Sequence, residues 1–179
     1  MSDPRAFAVA ETLRDGTAAT IRALRVDDRE RMAAAVRGLD RESIYTRLFS
    51  YRSELTESAL DRIMRFEPGR EVALVVTIDR APDEVVVGGG RYVVTDPALH
   101  SAEVAFMVEE DFHGRGIAGR LLRHLATIAR GRGIATLEAE VLAGNRAMLA
   151  VFARSGLPMT TRPEDGIVHV TLALGDAPV

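Results

Sequence analysis

Residues 102–133 read AEVAFMVEEDFHGRGIAGRLLRHLATIARGRG, and this stretch decides the fold. Its first part, AEVAFMV (102–108), is rich in apolar and β-branched residues and predicts a strand. From Gly116 the period changes: Ile117, Leu121, Leu125 and Ile128 recur at helical spacing, which predicts a long amphipathic helix over 116–133. ATLEAEVL (135–142) then reads as another strand, so the three pieces form a β-α-β unit. At the strand-to-helix junction Gly114, Gly116 and Gly119 fall within six positions. Glycines permit unusual φ and close backbone approach, so amide N–H groups can converge on an anion. The helix N-terminus adds partial positive charge, and Arg115 and Arg120 offer side-chain donors. The junction reads as a cradle for a phosphate or diphosphate.

Upstream, EVALVVTID (71–79) and EVVVGGGRYVV (84–94) are β-branched runs separated by Ala81-Pro82-Asp83, which predicts an antiparallel pair. Residues 6–14 and 18–24 predict a hairpin around Asp15-Gly16. Helices are expected from Asp27 to about Gly38, with Asp27 or Asp28 at the start, over 40–49, and from about Thr56 to Phe66 before Pro68-Gly69. Downstream come a helix from Asn145 to Ser155 and two strands near 157–162 and 167–174 about Glu164-Asp165-Gly166. No repeat, linker or low-complexity tract interrupts the chain. The fold class is mixed α/β, of α+β type, in one domain over 1–179.

Composition narrows the chemistry. The 179 residues are enough for one core that needs no disulfide or metal staple. The net charge of −3 argues against nucleic acid as the main partner. No apolar run approaches the roughly 20 residues of a membrane span, and no secretory signal is visible, so the expected location is cytoplasmic. There is no cysteine, and all 23 basic residues of the Lys+Arg sum are arginines. That excludes thiol nucleophiles, a Walker A lysine and a Schiff-base lysine. His113 and His124 are eleven apart, and His100 and His169 stand alone, so no metal site is expected.

Gly114-Arg115-Gly116-Ile117-Ala118-Gly119 satisfies G-x-G-x-x-G, with Glu138 about 20 residues on, as in a dinucleotide fingerprint. However, Glu109-Glu110-Asp111-Phe112 separate the glycines from their strand, and too little chain follows for the remaining βαβ units. A second pattern accounts for more residues. His113-Gly114-Arg115-Gly116-Ile117-Ala118 resembles the acetyl-CoA loop [Q/R]-x-x-G-x-[G/A] of the GNAT superfamily of N-acetyltransferases, with His113 where Gln or Arg is usual. Asn145-Arg-Ala-Met148-Leu-Ala-Val-Phe152-Ala-Arg-Ser-Gly156-Leu157 resembles the family's second signature, N-x-x-A-x-x-L-Y-x-x-x-G-F, and places the chain's only asparagine on the signature asparagine.

The resemblance implies a mostly antiparallel mixed sheet in which strands 102–108 and 135–142 splay apart, with the pantetheine arm of acetyl-CoA in the gap. It implies that Phe106, Met107 and Val108 pair with that arm as an added strand, with an N–H near Val108 taking the acetyl carbonyl. His113, Gly114, Arg115, Gly116, Ile117, Ala118, Gly119 and Arg120 would hold the phosphates, and Asn145, Met148 and Phe152 would complete the cofactor site. No metal takes part.

An acceptor ammonium must lose a proton before it attacks, and Glu103 is the candidate general base. Its neighbours Ala102, Val104 and Phe106 suggest partial desolvation, although strand alternation also allows the wet face. The glutamate of similar AEVAF-type strands has this role in the lysine-acetylating branch of the family. Where many relatives carry a tyrosine to protonate the leaving thiolate, this chain has Phe152, and Glu109, Glu110, His113 and Tyr92 are unranked substitutes. RESIYTRLF (41–49), with its surroundings, resembles the GNAT domains of bacterial protein lysine acetyltransferases that act on acetyl-CoA synthetases. The expected substrate is therefore a protein bearing a reactive lysine. A small-molecule amine, or acyl-CoA binding without catalysis, are the alternatives. The final strand is open to pairing with a second copy of the chain.

Overall fold

The computed structural model describes residues 4–37, 57–65, 67, 69–98 and 100–175. Eight strands form one sheet in the order β1-β2-β3-β4-β5-β6-β8-β7. They are β1 (Ala8–Thr12), β2 (Ala18–Ala23), β3 (Glu71–Arg80), β4 (Asp83–Asp96), β5 (Ser101–Val108), β6 (Thr136–Leu142), β7 (Met159–Glu164) and β8 (Ile167–Ala173). The described helices are α1 (Arg29–Arg37), α2 (Glu57–Met64), α3 (Ile117–Gly131) and α4 (Arg146–Ala153). Every strand pairing is antiparallel except β5 with β6, which α3 connects as the expected β-α-β unit. The expected helix over 40–49 and the RESIYTRLF segment lie outside the described residues.

Both faces of the sheet are packed, by different helices. On one face α3 buries Ile117, Leu121, Leu122, Leu125, Ala126 and Ala129 against Ala102, Val104 and Phe106 of β5. Each such aliphatic side chain taken out of water contributes roughly 1.5–3 kcal/mol. The Gly88-Gly89-Gly90 run of β4 is what lets α3 settle this low. A β-carbon on Gly88 would stand 2.9 Å from Ile117 Cγ2, and one on Gly90 would stand 2.8 Å from Phe106 Cδ1. On the other face α1 and α2 pack Met32, Ala35, Val36 and Leu60 against Val75, Val86 and Met107.

Asp28 has a larger role than that of a helix cap. A 3₁₀ turn (Val26–Asp28) precedes α1 and carries the Asp28 side chain inward to complete burial. There it receives Nη1 and Nη2 of the equally buried Arg22 at 2.7 and 2.8 Å, and the Arg25 N–H at 2.8 Å. Glu84 of β4 takes Arg22 Nε at 3.1 Å, so the cluster ties β2, β4 and the start of α1 together.

The β5–β6 junction is the feature that positions a site. Only Ser101, Ala102 and Glu103 pair with Thr136, Leu137 and Glu138; beyond them the strands part. The expected splay is therefore present, with Glu103 at its fork. Register also decides which peptide groups face the gap. The Glu109 N–H bonds to Val87 O at 3.0 Å, which turns residue 109 toward β4. The alternation of an antiparallel ladder then turns the peptide groups of Val104, Phe106 and Val108 away from β4, toward β6.

Candidate functional site

A cleft of about 1060 Å³ runs through the fork. One end lies under the glycine loop and the start of α3. The middle passes between β5 and α4. The other end is lined by Met32 of α1, Ile63 of α2 and Arg91 of β4. It is large enough for an extended ligand, and its lining joins apolar walls to arginines and other polar side chains.

Phe106, Met107, Val108, His113, Gly114, Gly116, Ile117, Ala118, Gly119, Arg120, Asn145, Met148 and Phe152 all line this cleft. Arg115 does not. Its guanidinium pairs with Asp15 of the β1–β2 turn at 2.6 Å, donates to Asp111 O at 2.9 Å and stacks on the Phe112 ring at 4.3 Å. Arg120 reaches the cleft wall, but it donates to Glu11 Oε2 at 3.2 Å and to the carbonyls of Thr12 and Gly116. The two arginines adjacent to the loop in sequence thus fasten the N-terminal hairpin onto it. Glu11 also receives Arg123 and the His124 ring. Partial burial pushes the Glu11 carboxyl pKa up, but hydrogen bonds and charge from His124 and Arg123 outweigh it and hold the pKa below its ordinary value.

The loop itself has the backbone of an anion cradle. Gly114 and Gly116 adopt φ of +75° and +82°, a region open to glycine at little cost. A β-carbon on Gly116 would also stand 2.5 Å from Arg120 Nη1, the end of a flexible side chain that can move aside, so it is the positive φ that disfavours other residues there. Gly119 is different. It lies inside α3, without a positive φ and with open space where a β-carbon would be. The sequence-based expectation of special backbone geometry thus holds at two of the three glycines.

His113, the departure from the usual loop pattern, turns its ring back toward β5, with Nε2 3.1 Å from Val108 O. The contact joins the loop to the end of the strand whose peptide groups face the gap. Asn145 Oδ1 accepts the Met148 N–H at 3.1 Å and so caps α4 while lining the cleft. Phe152 is buried, its ring 6.1 Å from that of Phe106, and it closes the inner end of the gap. Tyr92 is fully buried, away from the cleft lining, and its hydroxyl lies 3.5 Å from Arg132. Burial pushes its pKa up.

Glu103 lines the cleft at the fork, on the sheet face opposite α3. Its side chain is exposed, so burial by Ala102 and Val104 is absent: strand alternation sends those two to the other face. Glu103 also borders a shallow depression with Glu138, Glu140, Thr171 and His169, where strand register sets carboxylates side by side. Four arginines of the cleft, Arg14, Arg91, Arg123 and Arg154, have no assigned role from sequence. Arg91 sat in a strand with no motif, and Arg14 lies about a hundred residues from the loop it meets. Among the described residues no group of three or more His, Asp and Glu is placed to hold a metal ion.

A model of the acetyltransferase (GNAT) family matches residues 40–157. An acetyltransferase of Pseudomonas aeruginosa is 30% identical over 164 residues, which are 89% of this chain and 86% of that protein. The crystal structure of the GNAT domain of S. lividans PAT superposes with a TM-score of 0.81 at 34% identity, over 93% of this chain and 96% of that one. A cAMP-binding acyltransferase from Mycobacterium smegmatis, at 24% identity and a TM-score of 0.64, shares the fold; the match covers 96% of this chain and 48% of that one. So does a spermidine N-acetyltransferase from Vibrio cholerae in complex with CoA and spermine, at 14% identity and a TM-score of 0.68, over 87% and 95% of the two chains.

Proposed function

The chain belongs to the GNAT acetyltransferase family, and from that premise we propose that it moves the acetyl group of acetyl-CoA directly to the ε-amine of a protein lysine, with Glu103 as general base. The observation that carries this reading is the position of Glu103. It stands at the fork where β5 and β6 part, with the gap on one side and the open sheet face on the other.

The cleft's parts suit the cosubstrate. The amides of the glycine loop and the N-terminus of α3 suit its diphosphate. The peptide groups of Phe106 and Val108 suit the amides of its pantetheine arm, as in strand addition. Acetyl-CoA, once bound, supplies an activated thioester carbonyl. Phe106 lies three residues from Glu103, about 10 Å at strand rise, against about 16 Å for Val108. That separation admits a side chain, a water and an attacking amine, so the Phe106 N–H is the better donor to the oxygen on which charge develops. One such donor is typically worth about 2.7–4 kcal/mol.

A lysine ammonium titrates near 10.4, so at neutral pH only about one in a thousand is deprotonated, and neutralising it costs about 4 kcal/mol. Glu103, directly or through water, removes that proton. Glu138 and Glu140 stand beside it on the same face and favour a cationic acceptor over a neutral one. With phenylalanine at 152 no side chain from the second signature protonates the sulfur. A thiolate whose conjugate acid titrates near 8.5 leaves without one. With no cysteine in the chain, transfer goes from thioester to amine with no acyl-thiol enzyme between. The support for a protein substrate is the likeness to the S. lividans PAT domain.

The test is CoA release from acetyl-CoA, followed with a thiol reagent, against a lysine-bearing acetyl-CoA synthetase and a panel of small amines. Turnover on the protein is expected. Turnover confined to a small amine overturns the choice of acceptor. Tight acetyl-CoA binding with no turnover on anything leaves a binding module, and Glu103 loses its role.

A further inference from the structure

The glycine loop carries two arginines of its own, and neither guanidinium is available. Arg115 is committed to Asp15, Asp111 O and the Phe112 ring. Arg120 is committed to Glu11, Thr12 O and Gly116 O. A bound diphosphate would therefore meet backbone amides and a helix N-terminus, with a partial charge near +0.5, and no side-chain cation from the loop. A doubly charged ligand calls for more than that.

Arg14 is in the right place. It lies in the turn that follows β1 in the N-terminal hairpin, outside residues 40–157, the part of the chain that the family model matches. Its own N–H donates to Arg115 O at 3.1 Å, which docks the hairpin turn on the loop. Its side chain lies across Gly116, with Nε 3.1 Å and Cδ 3.4 Å from where a β-carbon on that glycine would stand. Arg14 lines the cleft and is exposed. Among the described residues its guanidinium has no hydrogen-bond or ion-pair partner. Arg115 and Arg120, by fastening the hairpin, hold this third arginine over the loop.

We propose that Arg14 reads the diphosphate of CoA: its guanidinium closes over the phosphates held on the 114–119 loop, so that the N-terminal hairpin supplies the cation the loop lacks. The planar guanidinium fork matches two phosphate oxygens at once. The inference rests on the reading of the cleft as a CoA site and adds to it a residue from a different part of the chain.

The experiment compares the full-length chain with Arg14→Gln, a substitution that keeps the backbone hydrogen bond to Arg115. Binding of CoA and of 3′-dephospho-CoA is measured by calorimetry, and turnover is measured with S-acetyl-pantetheine, which has neither phosphate. Arg14→Gln is expected to weaken CoA and 3′-dephospho-CoA equally, by about tenfold, the low end for a charge-assisted hydrogen bond at an exposed position. It is expected to leave kcat/KM with S-acetyl-pantetheine within about twofold of the parent. Unchanged CoA affinity overturns the proposal. A loss seen with CoA and absent with 3′-dephospho-CoA overturns it in favour of the 3′-phosphate. An equal loss with S-acetyl-pantetheine overturns it by showing damage to the fold of the cleft. A parent chain that binds no CoA overturns the reading of the site itself, and the proposal with it.

Discussion

Glu103→Gln is expected to lower kcat by roughly 10²–10⁴ at neutral pH while leaving acetyl-CoA affinity nearly unchanged. The side chain is exposed and the substitution is close to isosteric, so stability should move by less than about 0.5 kcal/mol. The loss should also shrink with alkali. Without a base the enzyme depends on acceptor that is already deprotonated, so kcat of the variant should climb about tenfold per pH unit toward the amine pKa near 10.4. The parent should rise less steeply over the same range. A variant within about threefold of the parent at neutral pH, or one whose deficit is the same at every pH, would assign the proton to water or to another group.

Asp28→Asn should have the largest effect on stability. The carboxylate is fully buried and receives both terminal nitrogens of Arg22, which is 3% exposed. Replacing it leaves a buried guanidinium with, among the described residues, only the partly exposed Glu84 as a charged partner. Breaking a buried pair in this way costs about 3–5 kcal/mol. The remaining Glu84 contact places the expectation near 3, or about 6–12 °C in Tm for a chain of this size. The pH dependence has a definite sign. Burial pushes the Asp28 pKa up, but the hydrogen bonds from Arg22 and the Arg25 N–H outweigh it and hold the pKa below its ordinary value. A carboxyl whose folded-state pKa is depressed stabilises above its unfolded value, near 3.9, and loses that contribution as pH falls through the folded value. The gap between parent and variant in urea midpoint should therefore be constant near neutrality and close in acid. A gap that persists unchanged below about pH 3 would mean that the charge pair is not its source.

Most of the architecture was legible in the chain because its signals are local and agree with one another. The change from strand to helical period at Gly116 defines the β-α-β unit, and Asp15-Gly16 marks a turn that the structure closes with Asp15 Oδ1 accepting the Thr17 N–H. The cleft's lining was legible for a related reason. Gly116, Asn145 and Phe152 belong to two contiguous motifs, and the backbone geometry of each motif is set by its own residues. What sequence reading missed or misjudged depends on contacts between distant segments. Arg115 and Arg120 look like free phosphate donors until the N-terminal hairpin arrives with Asp15 and Glu11 to engage them. Arg14 has no local signal at all. Asp28 reads as a helix cap because nothing near it in the chain announces Arg22 as a buried partner. Glu103 reads from sequence as a strand residue, but which face it takes depends on the register of β5 between β4 and β6.

The measurement that bears most directly on the function follows the acetyl group itself. The full chain is incubated with isotope-labelled acetyl-CoA and a lysine-bearing acetyl-CoA synthetase, and both proteins are then mapped by peptide mass spectrometry. Label on a lysine side chain of the acceptor, lost when Glu103 is replaced by glutamine, and with no side chain of the enzyme labelled, is the predicted result. Label retained on an enzyme side chain would contradict direct transfer, and label on neither protein would contradict lysine as the acceptor.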